Sequence, residues 1–350
     1  MPEARRSAVA GLRRAGAVAV PVLAVVAVAW LLLHSPASAP IEARRVAMGT
    51  VVTVKLHAGR RLSEALVDSA FAEIERIESL MSRHVADSEA NRIEREAVAG
   101  DFVCSPEMAA VLARCQEYAV RTEGRFDVTV GALTRLWNFP EAQYPPAPAL
   151  IDSALAHVGY RDLVVEGRRV RLGRGGIRLD LGAAAKGYAV DRAVARLQEL
   201  GVTAGLVEAG GDLRYWGSKP DGSGWRFAVQ HPRAPNEYLP VDDIGLVAIA
   251  TSGDYEQFFE HEGRRYHHIL DPRTGYPAAG AVSATAWANS ALEADIVATT
   301  AFILGPLEGV RLGEDLPEVE VLVLYMDGGR LLHRRTSGLA GRGRFPGDAE

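Results

Sequence analysis

Hydrophobic and polar positions follow two rhythms along this 350-residue chain, one of period two and one near 3.6. One stretch follows neither: Ala15 to His34 contains no Asp, Glu, Lys or Arg. Beyond it, "VAMGTVVTVKLH" (46–57) is rich in β-branched residues and predicts a strand. "SEALVDSAFAEIERIESLMSRH" (63–84) carries apolar residues at helical spacing, with Ser63 as a candidate cap and Glu–Arg pairs outside. "VCSPEMAAVLARCQEYAVRT" predicts a second helix with Pro106 in its first turn. "GRFDVTVGALTRLWNF" starts as a turn and becomes apolar, and "YPPAPALIDSALAHVG" is a Pro-rich connection with a short helix. Short strands are expected in "LVVEG", "RVRLG" and "GIRLDLG", the last ending at Asp180. "AAAKGYAVDRAVARLQELG" (183–201) reads as a helix closed by Gly201.

The remaining pattern is mostly of period two. "AGLVEAGGDLRYWG", "WRFAVQHP", "VAIATSGDYEQFFE" and "GAVSATAWAN" predict strands joined by polar turns. "SALEADIVATTAFILG" is a strongly apolar helix, and "VEVLVLYMDGGRLLH" predicts a hairpin with Asp-Gly in its turn. Strands and helices mix without a βαβα rhythm. The fold class that follows is α+β, a mixed sheet core with packed helices.

Composition changes the picture only at the N-terminus. The chain is 48% hydrophobic and 24% charged, with a net charge of −5, a poor match to nucleic acid or to an anionic membrane surface. Arg5, Arg6, Arg13 and Arg14 precede the apolar run, and "SPASAP" follows it with Ala37 and Ala39 in A-x-A spacing. Basic, apolar, then small is the order of an export signal, and the run is also long enough to span a bilayer. Residues 1–40 are therefore expected to be a signal peptide or an N-terminal membrane anchor. Residues 41–350 would be an exported domain, anchored in the inner membrane or periplasmic. Cys104 and Cys115 are the only cysteines. Helical geometry sets them too far apart for a bridge, and they are expected as packed thiols.

Candidate chemistry gathers at two places. Lys186, one of three lysines, falls in the first turn of a helix after "LGAA". Free backbone N–H groups and the helix dipole attract anions there, so the stretch suits a phosphate or diphosphate. It suits equally a solvated lysine, or one paired with Asp180 or Asp191. In the apolar helix, Ser290 and Glu293 form a capping-box pattern that starts the helix near Ala291. Asp295 and Thr299 then share a face one turn apart and offer two hard oxygens, which suit Mg²⁺ completed by carbonyls, waters and phosphate. The alternative is an Asp bonded to backbone amides or an Arg, with Thr299 bonding back to its own helix. Adjacent His267 and His268 point to opposite faces and cannot share one metal. Gly210-Gly211 permits close approach of a ligand or a bulge. The common P-loop, dinucleotide, zinc-protease and serine-esterase signatures are absent.

Seven stretches in order, "MGTVVTV", "GRFDVTVGAL…LW", "DLGAAAKGYAVD", "EAGGDLR", "ATSGDYEQFF", "HHILDPRTGYP" and "ADIVATTAF", resemble the ApbE family of FAD:protein FMN transferases over residues 46 to about 305. The resemblance implies a Mg²⁺-dependent transferase with FAD as substrate. It would move FMN onto a Thr or Ser hydroxyl of a target flavoprotein in a membrane or periplasmic electron-transfer system, releasing AMP. It further implies Asp295, Thr299 and the carbonyl of Ala183 as metal ligands. Met48, His84, Phe126, Asp127, Asp180, Lys186 and Leu270 would line the FAD site, with Asp295, Lys186 and His268 as the catalytic candidates. His268 and Asp271 lie in the family's turn. Three positions depart from the family pattern: His84 replaces a usual Tyr, Glu94 a usual Asn, and Ala298 a frequent second carboxylate. An FAD-hydrolysing relative giving FMN and AMP, or a non-catalytic flavin-delivery factor for a respiratory complex, are the competing functions.

Overall fold

The computed structural model describes residues 40–348 apart from 60, 61, 140 and 220. The expected signal or anchor, residues 1–40, lies outside the described residues except for Pro40. The core is an eight-stranded antiparallel sheet in the order β1-β2-β6-β7-β10-β13-β14-β15. Its strands are β1 (Ile41–Ala47), β2 (Thr50–Gly59), β6 (Val202–Ala209), β7 (Asp212–Trp216), β10 (Ala248–Gly253), β13 (Ser283–Ala288), β14 (Glu320–Asp327) and β15 (Arg330–Arg335). β3 (Phe102–Val103), β4 (Leu163–Glu166) and β5 (Arg169–Leu172) form a small sheet, while β8 (Phe227–Gln230) with β9 (Tyr238–Val241), and β11 (Phe258–His261) with β12 (Arg264–His267), form two-stranded ribbons. Among the described residues seven α-helices complete the fold: α1 (Glu64–Met81), α2 (Glu89–Glu96), α3 (Pro106–Arg121), α4 (Gly131–Trp137), α5 (Pro148–Leu155), α6 (Ala185–Glu199) and α7 (Ala291–Glu314). The mixture is the expected α+β.

Period-two side-chain alternation buries the central strands on both faces. In β10, β13 and β14, Ala250, Ala286 and Val323 face the helices, whereas Ile249, Trp287 and Leu322 face a second core closed by Val229, Val241 and Phe345. Small alanines on the helix side let α7 lie close to the sheet. α6 packs between α1 and α7, and the three helices lie side by side against the sheet, α1 at β1 and β2, α6 at β6 and β7, and α7 at β10, β13 and β14. Cys104 and Cys115 are buried free thiols.

Four local expectations change. The strand 46–57 is split by a turn, because Met48 (φ 52°) and Gly49 (φ 72°) adopt left-handed conformations and reverse the chain into the β1–β2 hairpin. Met at such a position hides the turn from composition. The strand expected to end at Asp180 is reduced to one bridge between Val130 and Arg178. The amides that follow leave the ladder: Leu179 N donates to the Glu94 carboxylate, and Asp180 N to the Val128 carbonyl. The final hairpin turns at Gly328-Gly329, with Asp327 still paired to Arg330. The apolar helix breaks at Gly305 (φ 80°, ψ −178°) before Pro306 and continues to Glu314.

Candidate active site

Helix α6 builds the site from its N-terminus. Asp180 Oδ1 accepts Gly182 N at 2.9 Å, and Ala184 N and Ala185 N both donate to Leu181 O. These bonds turn the chain into the helix and place Lys186 as its second residue. Gly187 then makes the approach of α6 to α7 possible. A Cβ there would lie 2.2 Å from Ala291 O and 2.9 Å from Asp295 Cβ. Four residues on, Asp191 caps α7, its two oxygens accepting Ala291 N and Leu292 N at 3.0 Å each while Arg214 holds it at 2.7 Å. Ser290 Oγ adds a bond from Glu293 N, but the capping box is only half formed, because the Glu293 carboxylate goes to Arg114 and Tyr118. The start of α7, and with it Asp295, is therefore set by α6.

Lys186 takes a different partner from the two expected ones. Its Nζ lies 2.7 Å from Asp212 Oδ2 and 3.6 Å from Asp295 Oδ2, and donates to Gly182 O at 3.3 Å. Asp180 instead meets Arg83 at 3.3 Å, and Asp191 is occupied by its cap. Asp212 receives no well-directed hydrogen bond at Oδ2 and meets the lysine as an ion pair. Burial alone would lower the Lys186 pKa, but the two carboxylates outweigh it and hold the ammonium charged. Burial raises the Asp212 pKa well above its ordinary value, the Asp295 charge adds to this, and Lys186 opposes both. Burial also raises Asp295, against Lys186 and the Gly187 N–H.

Two buried carboxylates thus share one ammonium, and the excess negative charge is a place for a further cation. Thr299 supplies a second oxygen type. Its Oγ1 lies 3.0 Å from Ser252 Oγ on β10, with no bond back to its own helix, in contrast to Thr300, which donates to Ile296 O. The donor set of Asp295, Thr299 and the neighbouring Ala183 fits a hard cation that takes most of its ligands from water and phosphate. Among the described residues no group of three or more His, Cys, Asp or Glu is arranged for a metal by itself. Ala298, at the position of the missing second carboxylate, is fully buried in the core.

Every expected site residue lines one cavity of about 810 Å³, within the usual size of cofactor sites. Met48 is half-buried and His84 exposed, while Phe126, Asp127 and Leu270 are buried. Lys186, Ala183, Asp295 and Thr299 supply a polar region, with Asp180 and His268 nearby in the lining. Asp127 Oδ1 accepts Thr129 N and Thr129 Oγ1, and burial raises its pKa. His267 and His268 do face opposite ways: the His267 ring lies edge-on to Phe302 and contacts Ala278 O, whereas His268 lines the cavity. Burial, then the neighbouring His267, pushes His268 down to about 4, and its buried Nδ1 has no partner. Asp271 shapes its turn, accepting Arg273 N at 2.9 Å, and is outside the cavity lining. The residue the sequence reading missed as chemistry is Asp212. It stands directly after Gly210-Gly211, and its only signal was the quoted "EAGGDLR".

The chain matches the ApbE family over residues 48–323. It is 32% identical over 315 residues to an FAD:protein FMN transferase of Vibrio cholerae, covering 87% of this chain and 94% of that protein. It is 32% identical over 303 residues to one from Salmonella typhimurium, covering 83% and 85%. Among solved structures, the ApbE protein of Thermotoga maritima superposes with a TM-score of 0.77 at 31% identity, covering 87% of this chain and all of that one. The flavin transferase ApbE of Vibrio cholerae gives 0.77 at 30% identity, covering 88% and 100%.

Proposed function

Because the chain belongs to the ApbE family, we propose that it is an FAD:protein FMN transferase that uses Mg²⁺ to move FMN from FAD onto a Thr or Ser hydroxyl of a flavoprotein, releasing AMP. The observation that carries this reading is the meeting of Lys186, Asp212, Asp295 and Thr299 in the lining of one cavity that also has apolar walls. The charged cluster suits a diphosphate, and the walls of Phe126 and Leu270 suit flat aromatic groups.

The acceptor oxygen attacks the FMN-side phosphorus. The bond from that phosphorus to the bridging oxygen breaks, and AMP leaves with the bridge. Lys186 neutralises phosphate charge that grows as the bond breaks. His268, which lines the cavity and is held neutral at physiological pH by burial, would take the hydroxyl proton. Asp295, Thr299 and the Ala183 carbonyl would hold Mg²⁺. When bound, the ion supplies Lewis-acid stabilisation of the phosphoryl oxygens. The same arrangement would serve hydrolysis if water replaced the hydroxyl.

The basic, apolar and small order of residues 5–39 supports export, with the catalytic domain tethered at the inner membrane or released in the periplasm. A membrane or periplasmic electron-transfer flavoprotein is the acceptor this location favours. The test is the full chain in detergent with FAD, Mg²⁺ and a candidate acceptor, followed by AMP release and the intact mass of the acceptor. AMP with an FMN adduct is expected. AMP with free FMN and no adduct on any acceptor would replace the reading with a hydrolase, and FAD binding without AMP with a delivery factor. A fusion of residues 1–40 to a reporter active only outside the cytoplasm checks the export step.

A further inference from the structure

Two walls of the cavity are tied together from behind by α2, which contributes no residue to the lining. One wall is the segment Ser82, Arg83 and His84; the other is Asp180, Leu181 and Gly182. Glu94, on α2, is buried with its side chain 5% exposed. Its Oε1 accepts Leu179 N at 2.7 Å, and Arg135 Nη2 at 2.9 Å. Its Oε2 accepts Arg135 Nη1 at 3.1 Å, and Arg178 stands 3.6 Å away. Arg135 also donates to Asn91 Oδ1 at 3.2 Å. Asn91 in turn donates to Arg83 O at 3.1 Å and Val85 O at 2.7 Å. Arg83 then meets Asp180 at 3.3 Å, which closes a ring of contacts.

A carboxylate this buried is retained only when its oxygens are filled. Here they are filled by a guanidinium fork and a backbone amide. The amide matters most, because Leu179 precedes Asp180, and Asp180 bonds Gly182 N at the turn into α6. We infer that Glu94 is a positioning residue for the FAD site: through Leu179 N and through Arg135 and Asn91 it fixes the spacing of the Asp180 wall and the Arg83–His84 lip. The inference rests on the proposed FAD chemistry. Lys186, Asp212 and Asp295 are not members of the ring, so its loss is expected to act on how tightly the nucleotide is held more than on how fast its diphosphate reacts.

The full-length protein is titrated with FAD by flavin fluorescence, and steady-state turnover and backbone hydrogen exchange are recorded on the same samples. Glu94→Ala is expected to raise the dissociation constant and KM for FAD about tenfold with kcat within about twofold, and Glu94→Gln, which keeps an acceptor for Leu179 N, to fall between. Exchange is expected to rise together over 82–88 and 177–182 and stay unchanged over 46–57. A folded Glu94→Ala with unchanged FAD affinity overturns the inference and leaves the transferase reading intact. So does an exchange increase spread evenly over the chain, the mark of a merely structural residue. If Glu94→Ala does not fold, Arg135→Lys removes the fork, and its FAD affinity is expected to fall at least threefold; no change overturns the inference. Wild-type protein that binds no FAD overturns the transferase reading and this inference with it.

Discussion

The backbone N–H of Gly187 donates to Asp295 Oδ2 at 3.1 Å across 108 positions of sequence. This bond joins the first turn of α6 to the second turn of α7. It stands where no side chain fits, since a Cβ on residue 187 would meet the Ala291 carbonyl at 2.2 Å. The distance between Lys186 and Asp295 is thereby fixed by the absence of an adjacent side chain.

Gly187→Ala is accordingly expected to push the two helices apart. Overpacking at a backbone contact costs about 3 kcal/mol, and turnover should fall with it because Lys186 and Asp295 lose their spacing. Thermal unfolding and AMP release measure both. A variant with wild-type stability and turnover would show that the helices yield without cost.

Asp295→Asn separates stability from chemistry. The amide still accepts Gly187 N, but one of two buried carboxylates sharing Lys186 has lost its charge. Metal-free stability should therefore hold or rise, while Mg²⁺-dependent turnover drops by roughly a hundredfold or more. Denaturant unfolding with chelator, set beside AMP release, decides it. Retained turnover would remove Asp295 from the metal site.

Lys186→Ala should weaken FAD binding by roughly ten- to a hundredfold, the range of a lost charge-assisted bond. Riboflavin, which has no phosphate, should bind nearly as before. Calorimetric titration of both ligands tests the difference. Equal losses would make Lys186 a structural partner of Asp212 and nothing more.

His268 is expected to titrate near 4 in the folded protein, against an ordinary value near 6.5 for the unfolded chain. Between these values the unfolded state binds the extra proton. The group's contribution to stability is thus complete above about 6.5 and is lost as pH falls towards 4, on the order of 3 kcal/mol in all. Imidazole resonances followed by NMR give the midpoint directly. A midpoint at 6.5 would show that burial does not hold this ring below its ordinary value, and the pH dependence of stability attributed to it would be absent.

Much of this protein was legible before folding. The α+β class followed from a mixture of periods two and 3.6, because those periods are properties of the local backbone. The start of α7 at Ala291 followed from Ser290, and the place of Lys186 in the first turn of α6 from the small residues before it. Every site residue named from the sequence lies in the lining of one cavity, whereas Asp212, inside the quoted "EAGGDLR", was not named as chemistry. Local signals failed where the backbone had a distant partner. Met48 entered a left-handed turn that composition does not favour, and the strand before Asp180 dissolved because Glu94 took the Leu179 amide.

What the sequence by itself determined is which elements form and which polar residues they carry. Which charges meet was decided only by the tertiary structure. Asp180 and Asp191 lie nearer to Lys186 in sequence than Asp212 or Asp295, yet Arg83 holds the first and the N-terminus of α7 the second. The lysine turns instead to carboxylates on β7 and α7, brought within 2.7 Å and 3.6 Å by sheet order and by the gap at Gly187. Hydrophobic periodicity acts over a few neighbouring residues, whereas electrostatic partnership depends on distance and desolvation in space, and neither of these is fixed until the helices and the sheet have packed.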